Sequence, residues 1–240
     1  MADQDNAAAA PLAAEQSVAL SRRQALTAAT LLVAGGAAAQ STPSRVATES
    51  SGRLAEAPRA DNAAEFRARF VQTGVAGEAF AAYGYLTRAQ GTTDSDLFAG
   101  TIHNETTALF TAYAAGSLVQ RTLDRSVHSL DIEGTLTIYQ RITAGASFNT
   151  PDSFRVGLPV ARFDLTLQDI LTVFVPGRGI PTLTGGMRQT LADRLVGPPV
   201  GRRFGRMGSR ARFFATGIGD LVDPVTLNAF LEMAGNWVVE

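Results

Sequence analysis

From Glu65 onward the chain alternates. Phe66, Ala68 and Phe70 take every second position, with Arg67, Arg69 and Val71 between them. Ala161, Phe163, Leu165 and Leu167 alternate in the same way with Arg162, Asp164 and Thr166. A period of two marks a strand with one face buried, whereas an amphipathic helix repeats its apolar stripe every 3.6 residues. Similar runs follow in 78–86 (with Phe80, Tyr83 and Tyr85), 107–119, 127–139, 170–175, 210–218 and 226–239. In 127–139, Leu130, Ile132, Leu136 and Ile138 share one parity. The last run is the cleanest, with Leu227, Ala229, Leu231, Met233, Gly235 and Trp237 on one face.

Turn chemistry separates the runs: Gly91, Asn104, Gly145, Asn149-Thr150-Pro151-Asp152, Pro176-Gly177, Gly185-Gly186, Gly197-Pro198-Pro199 and Asp223-Pro224. With no long amphipathic helix, this pattern predicts an all-β domain of about eight or nine strands. An antiparallel β-barrel is the first expectation and a β-sandwich the alternative. Two observations favour the barrel. The runs 107–119 and 127–139 are long, adjacent and apolar on much of both faces. Gly84, Gly134 and Gly235 lie inside strands, where closure needs bends. An outer-membrane barrel would carry an aromatic girdle, which the sequence lacks.

Residues 1–62 have a different texture. Ser21-Arg22-Arg23-Gln24-Ala25-Leu26 opens a mildly apolar run that ends in Ala37-Ala38-Ala39. Charged residues, an apolar stretch and then small residues is the order of an export signal, and the stretch is too short to span a membrane. Residues 40–62 are rich in Ser, Thr, Pro, Ala and Glu and read as a flexible linker, so the folded domain is expected over 63–240.

The paired arginines resemble the twin-arginine (Tat) export motif, with Ser21, Arg22, Arg23 and Leu26 matching it. Ala25 stands where that motif has phenylalanine and Thr27 where it has lysine. The resemblance implies residues 1–39 as signal, cleavage after Ala39, the Tat machinery as partner, and a secreted or cell-envelope location. The domain that follows resembles exported β-barrel proteins. Within it, Gly134-Thr135-Leu136-Thr137-Ile138 is similar to a strand of dirigent and allene-oxide-cyclase-like barrels. That likeness spans five residues and carries no site or activity.

Composition narrows the chemistry. There is no cysteine, and all 21 basic residues are arginine. Thiol nucleophiles, disulfides, iron–sulfur clusters, cysteine–zinc sites and Schiff-base lysines are therefore excluded. With two histidines, His103 and His128, a histidine-rich metal site is excluded too, and no cofactor or metal is expected. A net charge of −1 argues against nucleic acid as a partner.

Several residues are candidates all the same. His128 shares parity with Leu130 and Ile132, so it points to the face taken as interior. It is a candidate ligand-binding residue in a barrel mouth, together with Tyr83, Tyr85 and Phe110; the plainer reading is a core or edge histidine. Asp131 and Glu133 fall on the opposite parity. His103-Asn104-Glu105 and Asp94-Ser95-Asp96 read as polar turns. Gly217-Ile218-Gly219 opens like a dinucleotide fingerprint, but Val222 stands where the third glycine belongs. The segment 178–212 holds eight arginines against Asp193 alone and reads largely as loop. Arg202, Arg203 and Arg206 are its candidates for an anionic partner; the plainer reading is that its arginines pair with carboxylates elsewhere. The expected function is binding of a small, mainly apolar ligand. The alternatives are a barrel enzyme of isomerase or cyclase type, and a cell-surface interaction protein using the basic segment.

Overall fold

A computed structural model describes Arg53–Leu54 and residues 64–75, 79–197, 200–221 and 226–238. Arg22, Arg23 and the expected cleavage site after Ala39 lie outside the described residues.

The fold is a closed, antiparallel, eight-stranded barrel. Its strands are β2 (Phe66–Val75), β3 (Ala79–Ala89), β4 (Phe110–Asp124), β5 (Val127–Gln140), β6 (Leu158–Val175), β7 (Arg178–Ala192), β9 (Arg210–Leu221) and β10 (Thr226–Val238). Each pairs with the next along the chain, and β10 closes the ring on β2. Two further short strands, β1 (Arg53–Leu54) and β8 (Arg203–Phe204), pair in parallel outside the barrel. The expected linker thus contains a short paired segment. A four-residue helix, α1 (Asp94–Leu97), lies between β3 and β4, and a 3-10 turn (Pro151–Arg155) precedes β6.

The alternation in the sequence becomes the inside and outside of the barrel. Phe163, Leu165 and Leu167 of β6 are buried, as are Leu231, Met233 and Trp237 of β10. Closure requires neighbouring backbones to cross closely, and glycine permits it. A Cβ on Gly84 would lie 1.8 Å from the Arg69 carbonyl oxygen, and one on Gly217 would lie 1.7 Å from that of Phe230.

Two expectations about strands need correction. The runs around Ala161–Leu167 and Ile170–Val175 are one 18-residue strand, β6, passing through Gln168 and Asp169 without a break. The first half of the arginine-rich segment is not loop but the 15-residue strand β7. Pro181 is tolerated there because its missing N–H coincides with a gap in the β7–β9 ladder, which pairs Gly179 with Gly219 and resumes at Thr182 with Thr216.

The two ends of the barrel differ. At one end Phe204 and Leu195 are buried, from the segment that follows β7. Phe204 lies 6.5 Å from Phe110, ring to ring. The Gln189 amide, itself buried, donates to the carbonyls of Phe204 and Leu191. At the other end two-residue connections, 125–126 and 176–177, join β4 to β5 and β6 to β7, and inward-facing His128, Leu130, Leu171 and Val173 are only half-buried. Among the described residues this second, open end is the less filled of the two.

The outer face of β3 and β4 is covered as well. Tyr83 pairs with Val71 and Tyr113, and Tyr85 with Arg69 and Thr111, on the side opposite Gly84 and Ala112. Segments 98–103 and 142–157 fold over them. Phe148 and Phe154 pack near Tyr83 at 6.2 and 5.3 Å between ring centres. Thr111 donates its hydroxyl to the Phe154 carbonyl at 2.9 Å. Arg141, buried and with no carboxylate partner among the described residues, donates to the carbonyls of Thr143 and Ser153 and fastens the covering segment. Burial lowers the affinity of this guanidinium for its proton.

Candidate functional site

The inward row that crosses the middle of the barrel runs Leu130, Asp169, Leu183, Ala215, Met233, Ala68 and Leu86 from strand to strand. Asp169 is the only charged residue in that stretch, and it is buried. Its cross-strand partners are leucines on both sides. An ionised carboxylate has room for about four hydrogen bonds. Among the described residues Asp169 accepts one, from the Thr182 backbone N–H at 3.1 Å. Burial pushes its pKa up from 3.8 to about 6, partly countered by that bond. Near neutral pH the group is thus poised to gain or lose a proton.

His128 stands one inward position nearer the open end. It pairs with Leu171, and Leu130 pairs with Asp169, so His128 and Asp169 are diagonal neighbours. Such neighbours are typically ~7–8 Å apart across an antiparallel pair. Apolar Leu130 and Leu171, both half-buried, complete this block of four inward residues. Small residues face the same region from β7 and β9, where Gly179 pairs with Gly219. The arrangement offers an apolar wall, one under-bonded acid and a histidine one inward position away. Chemically, such a carboxyl can accept a further hydrogen bond and exchange a proton with the donor.

The four residues expected to line a ligand site do not converge. His128 does reach the interior of the open end. Phe110 is at the other end, against Phe204. Tyr83 and Tyr85 point outward into the aromatic cluster beneath the covering segment. Their apolar surroundings arise from a second core outside the barrel and not from a cavity within it.

The arginines 202, 203 and 206 divide in the same way. Arg202 pairs with Asp96 at 3.0 Å, both largely shielded from solvent. Burial would raise the Asp96 pKa, but bonds from Thr93 and Arg202 outweigh it and hold the carboxyl below its usual value. Arg203 donates to the Ala192 carbonyl at 3.1 Å, while Arg206 is exposed. Arg178, at the head of the segment, pairs with Asp220 at 2.8 Å. These pairs are the plainer reading of the basic segment.

The remaining motifs resolve into structure. Asp94 and Asp96 form the first turn of α1 within a capping box with Thr93. Asn104 accepts the backbone N–H groups of Thr106 and Thr107, and His103 stacks on Phe98 at 4.4 Å. Asp131 faces outward and accepts a bond from the Gln168 amide. Among the described residues no three His, Cys, Asp or Glu side chains converge in a way that would hold a metal, and no helix is long and apolar enough to cross a membrane.

Asp169 is the residue that sequence reasoning missed. The signal was present: position 169 continues the inward parity of Phe163, Leu165 and Leu167. No family model, curated protein or solved structure matches the chain.

Proposed function

We propose that this protein binds a small, mainly apolar ligand at the open end of its barrel, with Asp169 as the polar anchor and His128 beside the entrance. The observation that carries this reading is a buried carboxylate with a single bond from Thr182, set in an otherwise apolar row. A group held at that cost to folding is better accounted for by a bound donor than by the packing around it. The protein reaches its place of action by the twin-arginine route, on the strength of Ser21-Arg22-Arg23 and the apolar run after them, and works in the cell envelope or outside the cell.

Native mass spectrometry of the protein purified from its own envelope tests the reading. The expected result is an added mass of a few hundred daltons or less on the wild type that is lost from Asp169→Asn. A wild type without added mass, or an Asp169→Asn variant that keeps it in full, refutes the proposal.

One observation favours a second reading, an isomerase or cyclase on the same barrel. An acid with a pKa of about 6 is suited to moving a proton at neutral pH. Incubating the recovered ligand with wild type and with Asp169→Asn separates the two. Conversion by the wild type alone assigns catalysis, and recovery of unchanged ligand from both assigns binding.

A further inference from the structure

A cleft of about 400 Å³ lies on the outer face of the barrel, where β2 and β3 meet the turn leading to α1. It is lined by Arg67, Arg69 and Arg88, with Glu232 and Asp94 on its walls and Leu97 beneath. Arg69 is neutralised, because its guanidinium bonds to Glu232 on β10. Arg67 and Arg88 are not: they are direct cross-strand partners, both are exposed, and among the described residues neither forms an ion pair.

Like charges placed directly opposite each other on a sheet repel. No carboxylate stands directly opposite either of them. The partner of Arg67 on its other side is Ala234, and β3 pairs with β4 only as far as Tyr85, so no facing strand brings a carboxylate to Arg88. The juxtaposition also depends on a local irregularity. The register of β2 against β3 shifts between Arg67 and Ala68, leaving Thr87 as an extra residue that restores Arg88 to the same face as Tyr85. Bulges of this kind often redirect a side chain beside a site.

We infer that this cleft is an oxyanion site, in which Arg67 and Arg88 grip one phosphate or sulfate group between their guanidinium forks. Arg is suited to such groups because its planar fork can donate two parallel bonds. The volume exceeds what a bare ion needs and falls in the range of small-molecule sites. Beyond the arginines, buried Leu97 and half-buried Thr92 line the part of the cleft that would take an organic body attached to the anion. The site is on the outer face of the barrel and is separate from the interior around Asp169.

The test is calorimetric titration of the full protein at low salt with inorganic phosphate and with phenyl phosphate. Wild type is expected to bind at least one of them saturably. Arg67→Gln and Arg88→Gln are each expected to weaken that binding roughly tenfold or more. Arg162→Gln, which removes the same charge from an exposed position on β6, is expected to leave it unchanged. Tighter binding of the ester supports an anion carried on an organic molecule, and equal binding supports the free anion. Without ligand, Arg88→Gln is expected to melt no lower than wild type, since the repulsion is gone. No saturable binding up to millimolar phosphate or ester, or equal losses in all three variants, overturns the inference.

Discussion

Replacing Asp169 with asparagine removes a charge from the barrel interior while keeping the size of the side chain and its capacity to accept the bond from Thr182. Burial has raised the carboxyl pKa from 3.8 to about 6. A shift of that size corresponds to about 3 kcal/mol of destabilisation once the group is ionised in both the folded and unfolded states. The sign follows from linkage. The folded state holds the proton more tightly than the unfolded state, so the wild type is weakest above about pH 7 and regains stability as the pH falls through 6 toward 4. Asparagine brings two N–H donors into the same place, and leaving them poorly matched costs about 1 kcal/mol. The net expectation is that the variant is more stable by about 2 kcal/mol at about pH 8, or roughly 4–8 °C in Tm for a domain of this size. By about pH 4 the advantage is gone, because Asp169 is then neutral in the fold. Thermal unfolding of both proteins at the two pH values, followed by circular dichroism, measures the difference. Acid also weakens the ion pair of Asp96 with Arg202, but it does so in both proteins and cancels. A variant no more stable than wild type at pH 8, or an advantage of the same size at both pH values, would refute the reasoning about Asp169.

Other perturbations follow from the geometry. Gly217→Ala sets a methyl group against the Phe230 carbonyl and is expected to destabilise by about 3 kcal/mol or more, whereas Gly100→Ala, with open space around it, stays within about 0.5 kcal/mol; urea midpoints compare them. Phe154→Ala empties a fully buried site in the outer aromatic cluster and is expected to cost about 3–5 kcal/mol in the same measurement. Arg141→Met strips the Thr143 and Ser153 carbonyls of their donor and is expected to speed amide exchange across 142–157 while the barrel strands stay protected. Arg22→Lys with Arg23→Lys is expected to leave the protein in the cytoplasm, read by cell fractionation; unchanged export sinks the twin-arginine assignment.

Much of the barrel was legible because its strands alternate strictly, and β10 is the clearest instance. The errors have physical causes. Gln168 and Asp169 put two polar residues in succession, which divides the pattern of β6 and hides a strand whose inward position holds the acid. Gly179, Pro181, Gly185 and Gly186 mask β7, because they are turn residues by propensity and only tertiary pairing on both sides overrides that preference. Tyr83 and Tyr85 group with His128 in the sequence because its pattern cannot distinguish an inner wall from an outer face buried under a loop. Both environments select the same residue types. The Arg67–Arg88 opposition was not legible at all. It depends on a one-residue shift at Thr87 that no local pattern announces.

The order of the strands around the ring has a consequence for how the chain comes to be folded. Seven of the eight seams join neighbours in sequence, and each can form as soon as its two strands exist. The eighth joins the first barrel strand to the last: Arg69 meets Glu232, 163 residues away. Until residues 226–238 have left the ribosome, β2 has one edge with no partner in the ring and an interior open to water. The long-range seam is entropically the slowest to form. Completion of the ring therefore waits for its last strand, whose docking buries the hydrophobic interior and removes the last free edges.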